Sequence, residues 1–424
     1  MDIGVLMALA ILILLFGLVS KRLQTSAFTP PMAFVAFGLL VGSGGLDWVR
    51  VDAGTGAVHA FAELTLILVL FLDASRIDLA ALRRQVGLSA RLLGVGMPLT
   101  LALGTVLGVA LFSDLSLAEA ALLAAILTPT DAALGQTVIS NPVVPARIRQ
   151  SLNVESGLND GIALPAVLVL AALAEAQAET DVTPWVTYTA LQIGLGPLVG
   201  AAVGYAGGKL VERASDTGWM NHAFQELSGL ALALLAFAIA EQIGGNGFLS
   251  AFAAGLTLGN TSRSVCRCLY DFTEVEGQLL VLVTFSLFGA LLVFPSAPHW
   301  NWTVALYAVL SLTVVRMVPV AISLFGARLR PVSVLFLGWF GPRGLASILF
   351  GLLIVERLEI PHHDEIFATV ILTVLASVFL HGASAAPAAR AYGRRVAPLP
   401  EAEPMPEHEP AAEMPLRVSP PSNP

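Results

Sequence analysis

The sequence predicts an all-α integral membrane protein with about thirteen transmembrane helices. Of its 424 residues, 56% are hydrophobic and only 12% are charged, whereas a soluble domain carries about 25% charged residues. Apolar runs near the roughly 20 residues that a helix needs to cross a bilayer recur along the chain. The loops between these runs alternate between rich and poor in basic residues, which is typical of a chain that crosses a membrane many times.

Thirteen apolar segments follow one another along the chain. The first has no small-residue cleavage site after it, so we interpret it as a span and not as a signal peptide. The ninth is the shortest of the thirteen. The segments lie near 3–20, 28–44, 58–75, 91–112, 117–140, 154–174, 185–210, 223–243, 247–260, 277–294, 302–326, 332–356 and 364–388.

The basic residues predict the orientation of the chain. With these spans, the loops on one side contain only Arg50 and Arg357 as basic residues. Because cytoplasmic loops carry the excess of Lys and Arg, the N-terminus is predicted outside and the C-terminus in the cytoplasm. The basic residues on the predicted cytoplasmic side are Lys21, Arg22, Arg76, Arg83, Arg84, Arg91, Arg147, Arg149, Lys209, Arg213, Arg263, Arg267, Arg328, Arg330, Arg390, Arg394 and Arg395.

The chain divides into a predicted transmembrane domain, residues 1–395, and a tail, residues 396–424. The tail is rich in Pro and Glu and has no apolar face, so we expect it to be disordered in the cytoplasm. The sequence contains no Gly-rich phosphate loop, which argues against an ATP-driven pump. We interpret the predicted spans as lacking a catalytic nucleophile–His pair and a metal cluster, so we expect neither an enzyme nor a bound cofactor.

Segment five contains a predicted helix break, in the stretch "AAILTPTDAALGQ". Pro129 removes a backbone hydrogen bond inside an apolar helix, and the freed carbonyls need other partners in lipid. Thr130 and Asp131 follow directly. Because backbone and carboxylate oxygens suit a hard monovalent cation, we expect Asp131 to bind one. A simple proline kink with Asp131 as a helix cap is the alternative.

Segment twelve contains a matching break, in the stretch "LGWFGPRGLASILFG", where Gly341, Pro342 and Gly344 interrupt an apolar run. The two broken segments are seven spans apart, and an odd offset inverts topology. This predicts that segments one to six and eight to thirteen are inverted repeats, with a transporter's site near the membrane midplane. Arg343, at the interruption, either offsets the negative helix ends or forms a structural ion pair.

Segment six opens with the polar stretch "LNVESGLNDG". Ser156 and Asp160 are four residues apart and share one helix face, and Glu155 and Asn159 lean towards it. Together with Asp131 they form a predicted oxygen-rich cluster. Mutual repulsion and burial both penalise the charged forms of its carboxylates. A proton and a cation can therefore compete for this cluster, which is the minimal requirement for exchange.

Asp73 and Arg316 are two further charged residues of the apolar segments. An ionisable side chain at membrane depth costs roughly 2.5–3.5 kcal/mol on insertion scales, so a functional role is the default interpretation. Asp73, at the cytoplasmic end of segment three, is either an entry-funnel carboxylate that binds the cation or a solvated residue at a helix end. Arg316 is buried in segment eleven and needs a charged partner.

The motifs "TPTD", "ESGLNDG" and "GPRG", with the buried arginine of segment eleven, together resemble the bacterial sodium/proton antiporters of the NhaP type. These belong to the monovalent cation:proton antiporter family, and the resemblance covers residues 1–395. It implies a homodimer in the bacterial inner membrane. It also implies a dimerisation domain, a six-helix core domain that moves like an elevator, and two broken helices that cross at the ion site.

The resemblance also assigns roles to the residues of segments five and six. Asn159 and Asp160 match the pair that carries the exchange, with Asp160 as the carboxylate that proton and cation share. Asp131, Thr130 and Ser156 match positions that line the cation site. The resemblance therefore places Na+ at Asp160 and Asp131.

Two further implications concern charge. Asn159 stands where electrogenic relatives have a second acid, which implies electroneutral exchange. Glu155 matches a glutamate that forms a structural ion pair with a buried arginine, and both Arg316 and Arg343 match arginines near the site. The partner of Glu155 stays open between them.

We therefore expect a secondary antiporter that exchanges Na+ or Li+ for H+. A K+/H+ antiporter on the same scaffold is the first alternative, because selectivity depends on cavity size, which residue spacing does not reveal. A gated cation channel is a less favoured alternative, because the sequence has no repeated pore loop.

Overall fold

The computed structural model describes residues 3–23, 26–49, 56–84, 87–175, 183–262, 277–357, 360–397 and 406–409. Within these ranges every regular element is a helix. This agrees with the predicted all-α class, and it follows from the requirement that backbone polar groups in lipid be satisfied within the segment that carries them.

The described residues form seventeen α-helices, α1 to α17 in chain order, and two of them contain a π-helical turn, at Leu92–Gly96 and Phe288–Leu292. Their bounds are α1 Ile3–Leu23, α2 Pro30–Val41, α3 Gly56–Ser75, α4 Leu79–Arg84, α5 Gly87–Leu111, α6 Leu117–Ile126, α7 Ala132–Ile139, α8 Ala146–Glu175, α9 Thr183–Asp216, α10 His222–Gln242, α11 Gly247–Thr261, α12 Gly277–His299, α13 Trp302–Leu312, α14 Val314–Ser323, α15 Pro331–Trp339, α16 Leu345–Arg357 and α17 His363–Val396.

Seven stretches of the described residues are helical, long and apolar enough to cross a membrane: α5, α8, α9, α10, α12, α13 with α14, and α17. Shorter apolar helices lie at Met7–Ser20, Pro30–Val41 and Leu117–Ile126. The protein is therefore a multi-pass membrane protein. The predicted number of thirteen spans, their division into inverted repeats and the orientation of the termini stay predictions.

Segments five and twelve are each divided into two helices. In segment five, α6 ends at Ile126 and α7 begins at Ala132. In segment twelve, α15 ends at Trp339 and α16 begins at Leu345. Residues 127–131 and 340–344, called the first and second break below, have no helical structure. Pro129 lies in the first break, and Gly341 and Pro342 lie in the second.

Small residues allow one group of helices to pack closely. Gly200 and Gly204 of α9 face the backbone of α11, and a Cβ at either position would overlap a carbonyl oxygen, that of Ser250 or Ala254. On another face of α11, Gly255 meets the backbone of Phe71 in α3. Close backbone approach through small residues is how membrane helices associate without a hydrophobic driving force.

Part of the tail differs from the predicted disorder. Residues 406–409 form a turn, with a 3-10 helix at Pro406–His408, and Glu407 is fully buried. The composition of the tail predicts disorder because it offers no apolar face. The turn is instead held by polar contacts to the helical bundle, which composition does not reveal. The α17 helix also extends to Val396, one residue past the predicted domain boundary.

Candidate functional site

The two breaks touch each other. The backbone N–H of Asp131 in the first break donates a hydrogen bond of 2.8 Å to the carbonyl of Pro342 in the second. The hydroxyl of Ser347, in the first turn of α16, donates to the carbonyl of Ile126 at the end of α6. Backbone groups that the breaks leave outside a helix are thereby satisfied by the opposite segment, as burial in a membrane requires.

The Asp131 carboxylate caps two helices at once. Its Oδ1 accepts the N–H of Ala133 at 2.7 Å in the first turn of α7, and its Oδ2 accepts the N–H of Leu345 at 2.7 Å at the start of α16. A carboxylate is stabilised at a helix N-terminus by the unpaired N–H groups and by the helix dipole. The helix-cap interpretation of Asp131 is therefore realised in the structure, and for both half-helices.

The Arg343 guanidinium lies at the opposite kind of helix end. Its Nη1 donates to the carbonyls of Thr128 and Pro129, just beyond the C-terminal end of α6. The side chain is completely buried. A cation stabilises the negative end of a helix, so Arg343 offsets the helix end, one of the two roles that its position predicts.

Both glycines of "GPRG" make room for charged side chains. A Cβ at Gly344 would overlap the carboxylate of Asp131, and a Cβ at Gly341 would overlap the guanidinium of Arg316. The second break can therefore approach these side chains only because both positions lack a Cβ.

Hydroxyl and amide groups of the first break and α8 form one hydrogen-bonded cluster. The Nδ2 of Asn159 donates to Oγ1 of Thr130 at 2.7 Å, and Oγ1 of Thr130 lies 2.9 Å from Oγ of Ser156. The Oδ1 of Asn159 is buried and accepts no hydrogen bond from any described residue. Asp160 follows Asn159 on α8 and is also buried.

Glu155 is paired with Arg316 of α14. The Nη1 and Nη2 of Arg316 donate to the two carboxylate oxygens of Glu155 at 2.5 and 2.9 Å, a bidentate geometry. Both side chains are buried. Of the two arginines that the sequence leaves open, the partner of Glu155 is therefore Arg316, while Arg343 serves the first break.

Asp73 is buried near the C-terminal end of α3. Its carbonyl oxygen lies 3.8 Å from the position that a Cβ on Gly157 would occupy. The α3 end therefore packs on α8 one helical turn before Asp160, so the interpretation of Asp73 as a solvated helix end is wrong.

The buried charges around the breaks leave one acid in excess. On α3 and the residue directly after it, on α8, on α14 and in the two breaks, the buried acids are Asp73, Asp131, Glu155 and Asp160, and the buried bases are Arg76, Arg316 and Arg343. Glu155 and Arg316 cancel each other directly. An uncompensated charge in a low-dielectric interior costs several kcal/mol. A bound monocation or a proton would remove that cost.

Two residues of α17 also hold the second break in place, and they are not among the site residues predicted above. The N–H of Arg343 donates to Oγ of Ser377 at 2.7 Å, and Nε2 of His381 lies 3.0 Å from the carbonyl of Trp339, to which it donates. Ser377 and His381, one helical turn apart, thus hold both ends of the second break. The sequence indicates them only by two polar residues that stand four positions apart in an apolar span.

The oxygen atoms around the first break suit a hard monovalent cation more than a transition metal. Among the residues that the structure describes, no group of three or more His, Cys, Asp or Glu side chains is arranged to hold a metal ion. Hydroxyl, amide and carboxylate oxygens are instead the ligand types that alkali and other hard cations prefer.

The sequence of this chain is similar to those of known antiporters. The family model described as "Sodium/hydrogen exchanger, transmembrane" matches residues 8–391. The K(+)/H(+) antiporter NhaP of Alkalimonas amylolytica is 26% identical over 392 residues, which cover 92% of this chain and 66% of the relative. The K(+)/H(+) antiporter NhaP2 of Shewanella sp. (strain ANA-3) is 28% identical, covering 90% and 65%. The chain thus spans about two thirds of the length of these relatives.

A solved structure shares the fold. The sodium proton antiporter MjNhaP1 from Methanocaldococcus jannaschii superposes with a TM-score of 0.77 over 93% of this chain and 98% of that chain. The two sequences are only 18% identical. This likeness therefore concerns the fold.

Proposed function

This chain belongs to the sodium/hydrogen exchanger family, and from that premise we propose that it exchanges Na+ or Li+ for H+ by electroneutral, elevator-type antiport. The excess of one buried acid over the buried bases around the breaks carries the proposal. A site with one uncompensated negative charge is neutralised equally by one proton or by one monovalent cation. Competition between the two is then sufficient for coupled exchange.

In the proposed cycle, Asp160 is the carboxylate that both substrates share. The cation binds Asp160 together with oxygens of Ser156, Thr130 and Asn159, and Thr130 is already hydrogen-bonded to the other two side chains. The loaded site moves across the membrane, the cation leaves, and a proton replaces it. An empty, charged site does not cross, because an unpaired charge in the apolar barrier is too costly.

Asp131 has a different part in this proposal. Both of its carboxylate oxygens accept backbone N–H groups, so its negative charge is already used to stabilise the starts of α7 and α16. We assign it mainly to holding the crossing of the breaks, with its charge contributing to the field at the cation. Asp160 then remains the acid that changes partner during the cycle.

One-for-one exchange rests on the residue before Asp160. A second acid at position 159 would let the site carry one more charge, whereas the amide of Asn159 stays neutral at every pH. The buried Oδ1 of Asn159 can still contribute an oxygen to the cation. We therefore propose that each cycle moves no net charge.

K+ for H+ exchange is the second candidate. It is favoured by the relatives from Alkalimonas amylolytica and Shewanella, both of which are K(+)/H(+) antiporters by name. The ligand types do not decide between the two ions, because hydroxyl, amide and carboxylate oxygens bind either. Acidification of proteoliposomes, reversed in turn by Na+, Li+ and K+, distinguishes the candidates.

The proposed membrane is the bacterial inner membrane, and the proposed assembly is a homodimer with a dimerisation domain and a six-helix core domain. The exposed apolar side chains of α1, such as Ile3, Leu14 and Leu18, need lipid or a second copy against them. Crosslinking of the protein in its native membrane tests the dimer.

Replacing the shared carboxylate tests the function. In proteoliposomes with a pH-sensitive dye inside, we expect Asp160→Asn to abolish cation-driven proton movement, because an amide takes up no proton and carries no negative charge for a cation to balance. Asp364→Asn removes the same charge from an exposed position at the start of α17 and is the matched control. Cation-driven proton movement that survives in Asp160→Asn, with a well-folded protein, would contradict the proposal.

A further inference from the structure

Residues 406–409 of the tail contact the end of the bundle where α8 and α15 begin and α17 ends, the end that the basic residues predict to be cytoplasmic. We propose that this end is a binding site for an acidic Pro-Glu peptide segment, that the chain's own residues 406–409 occupy it reversibly, and that its occupancy positions α15 and the second break. The effect on transport rests on the proposed function, whereas the binding itself does not.

The centre of this site is the carboxylate of Glu407. Its Oε1 accepts the N–H of Arg330 at 2.8 Å and the hydroxyl of Ser333 at 2.7 Å. The hydroxyl of Tyr392 in turn donates to Oγ of Ser333 at 2.9 Å. Glu407 has no exposed surface, so the site encloses its ligand completely.

The carboxylate also completes a helix that lacks a cap of its own. Arg330 is the N-cap residue of α15 and makes no side-chain capping bond, and Pro331 supplies no N–H in the first turn. Glu407 accepts the N–H of that N-cap residue from another part of the chain. An anion at this position is favoured by the N-terminal dipole of α15.

Burial raises the pKa of Glu407, but the hydrogen bonds from Arg330 and Ser333 outweigh burial and leave the pKa below its ordinary value. The bound carboxylate is therefore charged at neutral pH. Charged acceptors form hydrogen bonds about twice as strong as neutral ones.

Further contacts fix the residues on both sides of Glu407. The Nη1 of Arg147 in α8 donates to the carbonyl of Pro406 at 2.5 Å and pairs with the carboxylate of Glu409 at 2.7 Å. The Nε2 of His408 donates to the carbonyl of Val396 at the end of α17. The segment is thus recognised through its backbone as well as through its acids.

The basic charge of this end of the bundle and the acidic sequence of the tail both favour an acidic peptide as the ligand. The site lies at an end of the bundle that carries Arg147, Arg330, Arg394 and Arg395, whereas the tail carries five glutamates and no basic residue before Arg417. Opposite charges steer association and favour this partner over neutral peptides. A segment of the form Pro-Glu-His-Glu therefore fits both the pocket and its field.

The segment is connected to the ion site through one short helix. The α15 helix has nine residues, so it is about 14 Å long. Glu407 holds its first end, and its other end leads into the second break, where Pro342 and Arg343 meet the first break. Release of Glu407 should therefore loosen the placement of the second break.

Two variants of the full chain test the site directly. Glu407→Ala removes the enclosed acid, and Glu403→Ala removes the same charge from the tail outside residues 406–409. By hydrogen–deuterium exchange on the purified protein, we expect the Arg330 amide to exchange about tenfold faster in Glu407→Ala, because its acceptor is lost. We expect Glu403→Ala to exchange like the wild type. Equal effects of the two variants would show nonspecific charge attraction and overturn the site.

A free peptide tests whether the site is a receptor. We expect the peptide PMPEHEPAAE, the sequence of residues 404–413, to restore slow exchange of the Arg330 amide when added in excess to the Glu407→Ala protein. The same peptide with alanine in place of its first glutamate is the control and should have no effect. Failure of the first peptide to restore protection would contradict a reversible binding site.

Transport tests the consequence for the ion site. In proteoliposomes, we expect Glu407→Ala to raise the cation concentration that gives half-maximal exchange by about threefold or more, because the second break is less well placed. The maximal rate should change less than this, and Glu403→Ala should change neither. An unchanged half-maximal concentration in a variant that has lost protection would refute the coupling. Absence of exchange in the wild type would instead refute the proposed function and leave the binding site standing.

Discussion

At the scale of single residues, two of the buried acids are held by fixed partners. Glu155 is neutralised by Arg316 through two hydrogen bonds, and both oxygens of Asp131 are taken by helix starts. A carboxylate held in this way changes its partner only at a high energetic cost. We therefore propose Asp160, which is buried and follows Asn159 on α8, as the acid that takes part in exchange.

The ion pair of Glu155 gives the clearest stability prediction. We expect Glu155→Gln to lower the free energy of unfolding by about 3–5 kcal/mol, because it leaves the charge of Arg316 buried without its partner. The measurement is thermal unfolding of the purified protein in detergent. The double variant Glu155→Leu with Arg316→Met removes both charges and should recover most of the loss. A single variant as stable as the wild type would show that the pair contributes nothing.

At the scale of elements, two crossed breaks replace two continuous helices. The first break begins after Ile126 and the second after Trp339, and each supplies partners to the ends of the other. The negative Asp131 lies at two helix N-termini, and the positive Arg343 lies beyond a helix C-terminus. Each charge therefore has the sign that the dipole of the neighbouring helix favours. The same polar groups that hold the crossing therefore create the polar surroundings in which a cation can bind.

The close contact of the breaks predicts the effect of one added methyl group. We expect Gly344→Ala to slow exchange by about tenfold or more, because its Cβ overlaps the Asp131 carboxylate and displaces the start of α16. Gly194→Ala in α9 is the control, since a Cβ there meets no atom within 4 Å. Exchange rates in proteoliposomes, with unfolding temperatures of both variants, provide the measurement. Full activity of Gly344→Ala would mean that the contact is not needed.

The sequence predicts local features of these elements and misses long-range ones. The breaks follow from Pro129 and Pro342, because proline removes a backbone donor. The cluster on α8 follows from residue spacing. The partner of Glu155 lies 161 positions away in the sequence. The clamp of Ser377 and His381 and the burial of Glu407 likewise depend on tertiary contacts, which no local pattern reports.

At the scale of the whole molecule, the helices form a multi-pass membrane protein, and the site proposed above lies where the breaks meet. Small residues bring α9, α11 and α3 close together, while α6, α8, α16 and α17 surround the breaks. Both ends of the second break are tied to α17, and α15 is tied to the tail. These hydrogen bonds would allow the proposed site to move as one unit.

Because one buried acid is in excess around the breaks, one proton or one monovalent cation neutralises the proposed site, and the proposed exchange is electroneutral. The most direct test measures proton and cation movement in proteoliposomes while the membrane potential is clamped at several values. We expect the exchange rate to be independent of the potential, with no net charge moved per proton, and we expect Asp160→Asn to be silent at every potential. Net charge movement that reverses with the potential, or exchange that persists in Asp160→Asn, would contradict the claim.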